Sequence, residues 1–259
     1  MTNGVPGRPD RSGRPTKAQR KEQARLEREE LQRKIASRSR RRRLGIVLVA
    51  FGAAAAVAAF TLMPGEEIAS PQQLLKQAAK AKNAAGCGDV TTTPPYDPES
   101  QDRIHIGSTG DGPPLSSYRT TPPASGPHAD SPLPAGVYDT LGLPDLYRAI
   151  HSLEHGAAII WYDPTASTDQ VAELRAFYDR RLQDADVGQD RVIVAPYDFP
   201  EAAGVLPEGT QMALVAWHRL QTCASVDLAV AFDFTSQYSF PTAEGRRYQG
   251  EAPEAGAAI

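Results

Sequence analysis

At 259 residues, 41% of them apolar, the chain has enough material for one domain with its own core and for further segments beside it. Its net charge of −3 conceals two opposed halves: residues 1–43 carry 15 Lys and Arg against 5 Asp and Glu, and the remainder carries 13 against 26. Two cysteines without a Cys-x-x-Cys pair speak against thiol–disulfide catalysis. The basic half has neither a nucleic-acid motif nor interleaved aromatic residues, so no nucleic-acid partner is expected.

In chain order, residues 1–15 are rich in Gly, Pro and Arg and are expected to be disordered. Residues 16–43 have a helix-forming composition with few large apolar side chains. Residues 1–43 together are expected to be a basic cytoplasmic segment, with 16–43 suited to anionic lipid headgroups at about 1 kcal/mol per cation near the surface. Arg40, Arg41, Arg42 and Arg43 then precede an uncharged run of twenty residues, Leu44 to Met63. A helix of about 20 apolar residues spans the hydrocarbon core of a bilayer, and flanking arginines stay on the cytoplasmic side. The expectation is a single-pass protein of the cell membrane, N-terminus inside and the following domain extracytoplasmic. A cleaved signal peptide fits less well, because about forty residues precede the run and no small-residue cleavage site follows it.

Residues 64–86 read as a stalk helix, with Ser70 as N-cap before Pro71 and Gly86 as its stop. A globular extracytoplasmic domain is expected over residues 87–248, with residues 249–259 as a tail. Its first part, as far as Leu143, is Pro- and Gly-rich and is expected to be irregular. Residues 145–153 suit a short helix, 157–162 a buried strand, and 169–182 a helix capped by Thr168 with Val171, Leu174, Tyr178 and Leu182 on one face. Further strands are expected at 191–196 and 212–217, and a closing helix within 226–238. The fold class is α+β: a small sheet with packed helices and a long irregular N-terminal part, preceded by the single transmembrane helix. Cys87 and Cys223, both on the outer side, are expected to form one disulfide.

The residues with the chemistry to do more than pack are the histidines. Four of the five (His105, His128, His151 and His155) precede residue 156, and His218 stands apart. His151 and His155 are spaced i, i+4 and share a face if their segment is helical. His128 closes a run stiffened by Pro122, Pro123 and Pro127, which holds an imidazole at low entropic cost. Three imidazoles, with His105 as a possible fourth, suit copper or zinc. Glu154 adjoins the second histidine, unlike the His-Glu-x-x-His zinc-protease pattern. It is expected to face away from the His151–His155 side, as an outer partner that orients a ligand.

The segments Pro122-Pro123-Ala124-Ser125-Gly126-Pro127-His128 and His151-Ser152-Leu153-Glu154-His155-Gly156, with Tyr118, Gly136-Val137-Tyr138 and Ala216-Trp217, resemble a family of membrane-anchored bacterial proteins. That family is grouped as a domain of unknown function and is common in high-GC Gram-positive bacteria. Ala124 stands where the family usually has Thr. The resemblance spans roughly residues 87–248 and implies a shared domain and topology, without a reaction. Three readings follow. The first is an extracytoplasmic metal-binding domain, and the second a non-catalytic cell-envelope interaction module with structural histidines. The third is an enzyme using Glu154 as base, for which no second carboxylate is placed by a motif.

Overall fold

The computed structural model describes residues 69–107, 112–139, 142–184 and 191–259. The expected membrane span Leu44–Met63 and the basic segment before it lie outside the described residues. Among the described residues no helix is long and apolar enough to cross a membrane.

Three central strands carry the fold: β3 (Ala158–Tyr162), β4 (Val192–Pro196) and β5 (Met212–Ala216), buried at every position. Such unbroken apolar runs belong to strands covered on both faces. Alternate side chains accordingly enter two separate cores. Ala158, Ile160 and Tyr162 pack in one, with Leu174, Phe177 and Phe232. Ile159 and Trp161 pack in the other, with Leu146, Ile150 and Leu153.

With β1 (Thr91–Thr92), β2 (Gly136–Val137) and β6 (Arg219–Cys223), the sheet has the order β1-β6-β5-β3-β4-β2. The β2–β4 and β3–β4 pairs are parallel, and the remaining pairs are antiparallel. A parallel β3–β4 pair needs a crossover, and helix α3 (Thr168–Gln183) makes it. Ser167 stands at its N-cap with no side-chain capping bond, so Thr168 is the first helical residue and does not act as the cap. β6 escapes sequence reading because polar residues interrupt it, whereas its register with β5 comes from a tight turn in which His218 takes a positive φ of 54°.

The helix read as a stalk is part of the domain core. In α1 (Pro71–Ala84), the Ser70 side chain accepts from Gln73 N while Gln73 Oε1 accepts from Ser70 N, a reciprocal capping box. Leu74 and Ala78, one turn apart, are buried, and α1 packs on α4 (Leu228–Tyr238). Its apolar face is what converts an intended spacer into a structural element. Cys87 follows, and its disulfide to Cys223 ties the end of α1 to β6 across 136 residues of sequence.

Candidate metal centre

The site lies on the second face of the sheet, where α2 (Leu146–Glu154) ends against the largely irregular segments 102–107 and 112–130. Helix α2 starts with Asp145 accepting from Arg148 N, and it buries Leu146, Ile150 and Leu153 in the core. This face brings His151 and Glu154 inward together. His155 takes the C-cap position, and Gly156 follows with φ +90°, a left-handed conformation that glycine adopts without strain. A Cβ at Gly156 would also stand 3.0 Å from Phe240 Cβ. The Leu-Glu-His-Gly sequence thus combines one core residue, one site residue, a cap and a stop.

The proline-stiffened segment is organised as closely. Gly126 has φ +122°, and a Cβ there would fall 2.7 Å from the Tyr118 ring. Tyr118 donates its hydroxyl to Pro127 O, and Ser125 Oγ donates to Asp102 Oδ1 at 2.6 Å. Asp102 also accepts from Tyr96 N at 2.6 Å and from His218 Nε2 at 2.8 Å. In this trio the carboxylate sits between serine and histidine, so the histidine is not placed to activate the serine as it does in a hydrolase triad. Asp102 is a knot that holds the loop. Burial pushes its pKa up, but the His218, Ser125 and Tyr96 contacts outweigh this and leave it below the ordinary value.

Next to that loop, His105 and His128 form an isolated parallel β-bridge, in which Ile106 N donates to His128 O and His128 N to Ile104 O. One ligand atom from each of His105, His128, His151 and Glu154 lies within 4.8 Å of the others. Donors bonded tetrahedrally at 2.0–2.1 Å sit about 3.4 Å apart, so closing on a zinc-sized ion takes a movement of about an ångström. Ring centroids are 4.8 Å apart for His105–His128 and His105–His151, and 4.9 Å for His128–His151.

The hydrogen bonds set which nitrogens are available. His128 Nδ1 lies 2.8 Å from Gly126 O, and His151 Nδ1 lies 2.5 Å from Ala129 O. A carbonyl only accepts, so both rings carry their proton on Nδ1; His128 turns Nε2 to Glu154, and His151 turns Nε2 to His155. This is the arrangement by which proteins fix the tautomer of a metal-ligating histidine. His128 Nε2 is 2.9 Å from Glu154 Oε2, and both side chains are buried. The two atoms are at ion-pair distance, yet neither has a hydrogen-bond partner. A lone pair and a carboxylate oxygen at this separation repel, and only a positive centre between them, proton or metal ion, makes the approach favourable.

Glu154 is held in the cluster from its other oxygen. Arg103 Nε donates to Oε1 at 2.5 Å while its Nη2 donates to Glu254 Oε1 at 2.8 Å. Burial would raise the Glu154 pKa, but positive charge at the His128 ring and on the Arg103 guanidinium overcomes that and brings it down to about 2. Glu154 therefore stays a carboxylate with one oxygen committed and one facing the imidazoles. This differs from the expectation that it faces away. The helix ends at Glu154, and Arg103 reaches it from the turn that follows the 3-10 segment Glu99–Gln101.

His155 is placed differently from its three partners. Its Nε2 meets His151 Nε2 at 2.9 Å, and its Nδ1 lies 2.6 Å from Ala258 O. Its ring is 4.5 Å from that of His151, yet it stands outside the group whose donor atoms converge. It belongs instead to a seam in which residues 254–258 lie along the end of α2. Glu254 N donates to Glu154 O, Gly256 N to His155 O, and Arg191 to the carbonyls of His155, Gly256 and Ala257. The residues read as a tail are thus packed against the site. Burial, foremost, lowers the pKa of His151, aided by the neighbouring imidazoles and opposed by the Ala129 carbonyl, so this ring favours its neutral, ligating form. His218 sits one layer out, bonded to Asp102, while the neighbouring Trp217 meets the His128 ring edge-on at 6.1 Å.

Asp102, Arg103, Arg191 and Glu254 are site-building residues that spacing does not reveal.

Against known proteins, a family model described as "Protein of unknown function (DUF3105)" matches residues 115–254. No curated protein and no solved structure matches the chain.

Proposed function

The chain belongs to that family of unknown function, and we propose, from the site itself, that its folded domain binds a transition metal ion through His128, His151, Glu154 and His105. The observation that carries this reading is the buried pair His128 Nε2 and Glu154 Oε2, 2.9 Å apart and without hydrogen-bond partners. A donor set of three imidazoles and one carboxylate oxygen suits zinc or copper(II). Arg103 leaves Glu154 a single free oxygen, which favours monodentate ligation. His155 and residues 254–258 close the side of the site next to α2.

We further propose that Leu44–Met63 anchors the domain in the cell membrane, with residues 16–43 on the anionic cytoplasmic face and the metal site outside. The supports are the arginines ahead of the apolar run and the Cys87–Cys223 disulfide, a bond that persists in oxidising compartments.

The test is metal content and titration of the full chain, purified without a His-tag or chelator. Copper(II) should quench the fluorescence of Trp217, which lies beside His128, and the His128→Ala variant should lose both the bound metal and the quenching. A parent protein that takes up neither zinc nor copper at micromolar concentration would refute the proposal and leave the histidines as packing residues.

A further inference from the structure

The four donors are not held alike. The side chains of His128 and Glu154 are 0% and 1% exposed, and that of His105 is 48% exposed. Hydrogen bonds follow the same division. His128 and His151 are each fixed through Nδ1 to a carbonyl, and Glu154 is fixed through Arg103, whereas the His105 ring makes no hydrogen bond among the described residues. Its Nε2 lies 3.7 Å from Glu154 Oε2, beyond hydrogen-bond reach. The ring instead lies flat against His151, at 4.8 Å and 14° between planes. Its backbone is pinned by the bridge to His128, so the freedom left to it is rotation of the side chain.

Building on the metal-binding reading above, we infer that the site is an exchange centre: His128, His151 and Glu154 retain the ion, and His105 admits and releases it. A structural metal site is closed, with every ligand locked, because its role is to stabilise the fold. Here the fold has two apolar cores and a disulfide of its own, and one ligand is left at the surface without an orienting partner. When the His105 ring rotates away, one coordination position opens to solution while three bonds persist. An incoming donor, such as an imidazole, thiolate or aminocarboxylate, enters at that position. The ion then leaves by stepwise replacement of ligands, with no need for the buried set to open first. The natural cargo is a hydrated divalent ion accepted from, and passed to, a mobile chelating ligand.

The experiment follows zinc release from the loaded full chain into excess chromogenic chelator by stopped flow. In the parent, the rate should level off as chelator increases, because departure of the His105 ring becomes limiting. His105→Ala should still bind zinc, and it should release it roughly tenfold faster or more, a change of the size expected on losing one supporting interaction of a metal site. Its rate should also keep rising with chelator. His105→Asn, which keeps a polar side chain at the surface, should behave like His105→Ala, and circular dichroism verifies that both variants are folded. Release from both variants at the parent rate, or loss of all zinc binding in them, would overturn the inference. A parent that binds no zinc fails the metal reading itself, so the two failures are distinguishable.

Discussion

Glu154 concentrates the electrostatics of the site. Its carboxyl titrates at about 2 in the folded protein against an ordinary 4.5, so the unfolded chain binds the proton more readily. The resulting stability is present above pH 4.5 and is lost as the pH falls from there toward 2. Urea unfolding of the parent and of Glu154→Gln across this range should show a difference at neutral pH that shrinks on acidification. A difference independent of pH would mean that Glu154 acts by shape alone. His151 works in the same direction: with its pKa lowered, protons favour the unfolded state below the ordinary histidine range. For the same reason His151 should remain a neutral ligand somewhat below pH 6.5, where an unperturbed imidazole is half protonated. Metal titrations at pH 6 and 7 check this, and His155→Ala should retain binding because His155 stands outside the converging donors. Gly126→Ala should cost about 1–3 kcal/mol, the range for a residue held in an unfavourable backbone region, and should displace His128 against Tyr118. Metal affinity and the urea midpoint should fall together.

Among the elements, α1 shows how local and tertiary effects combine. The capping box sets where it begins, and Ser70→Ala should cost about 1 kcal/mol. Leu74 sets where it docks. Leu74→Ala removes a core side chain and should cost about 2–5 kcal/mol in urea unfolding. A spacer outside the domain would tolerate that change, so a cost near zero would return α1 to the role of stalk. Helix α2 is different in kind. Its hydrophobic stripe anchors it on the sheet, and its last turn presents His151 and Glu154 to residues 103–107 and 112–128, which have almost no regular structure of their own. The irregular segment is held by side-chain hydrogen bonds: Asp102 to Ser125, Tyr96 and His218, and Tyr118 to Pro127. Rigidity there comes from polar knots and glycine geometry where a helix or strand would use its backbone ladder.

For the whole molecule, the disulfide joins the end of α1 to β6 and spans 136 residues, a loop whose closure stabilises by roughly 4–5 kcal/mol in the chain-entropy model. Cys223→Ala should lose several kcal/mol, and alkylation of the unfolded, unreduced protein should label neither cysteine. Full labelling without reductant would exclude the bridge in the native protein. Orientation is tested separately. A reporter fused after Ile259 should be active outside the cytoplasm, and replacing Arg40, Arg41, Arg42 and Arg43 should weaken the bias without abolishing insertion. Activity of the reporter only in the cytoplasm would invert the proposed topology.

The sequence alone determined the elements whose signals are local. The apolar runs read as strands at 157–162, 191–196 and 212–217 lie within a residue of β3, β4 and β5, and Ser70 marked the cap of α1. The histidine-rich character of the site and the pairing of two distant cysteines were equally legible, because few residues compete for those roles. Only the tertiary structure decided which histidines converge. Spacing i, i+4 paired His151 with His155, and their rings do meet, but the packing of Leu146, Ile150 and Leu153 turns Glu154 inward beside His151, and the converging donors include Glu154 and not His155. His105 joins through a β-bridge to His128 that has no signature in composition or period. Arg103, which leaves Glu154 one oxygen for an ion, and residues 254–258, which close the site, reach it across 51 and about 100 positions of sequence. A donor set is a coincidence of positions in space, and the chain encodes such a coincidence only through the packing that produces it.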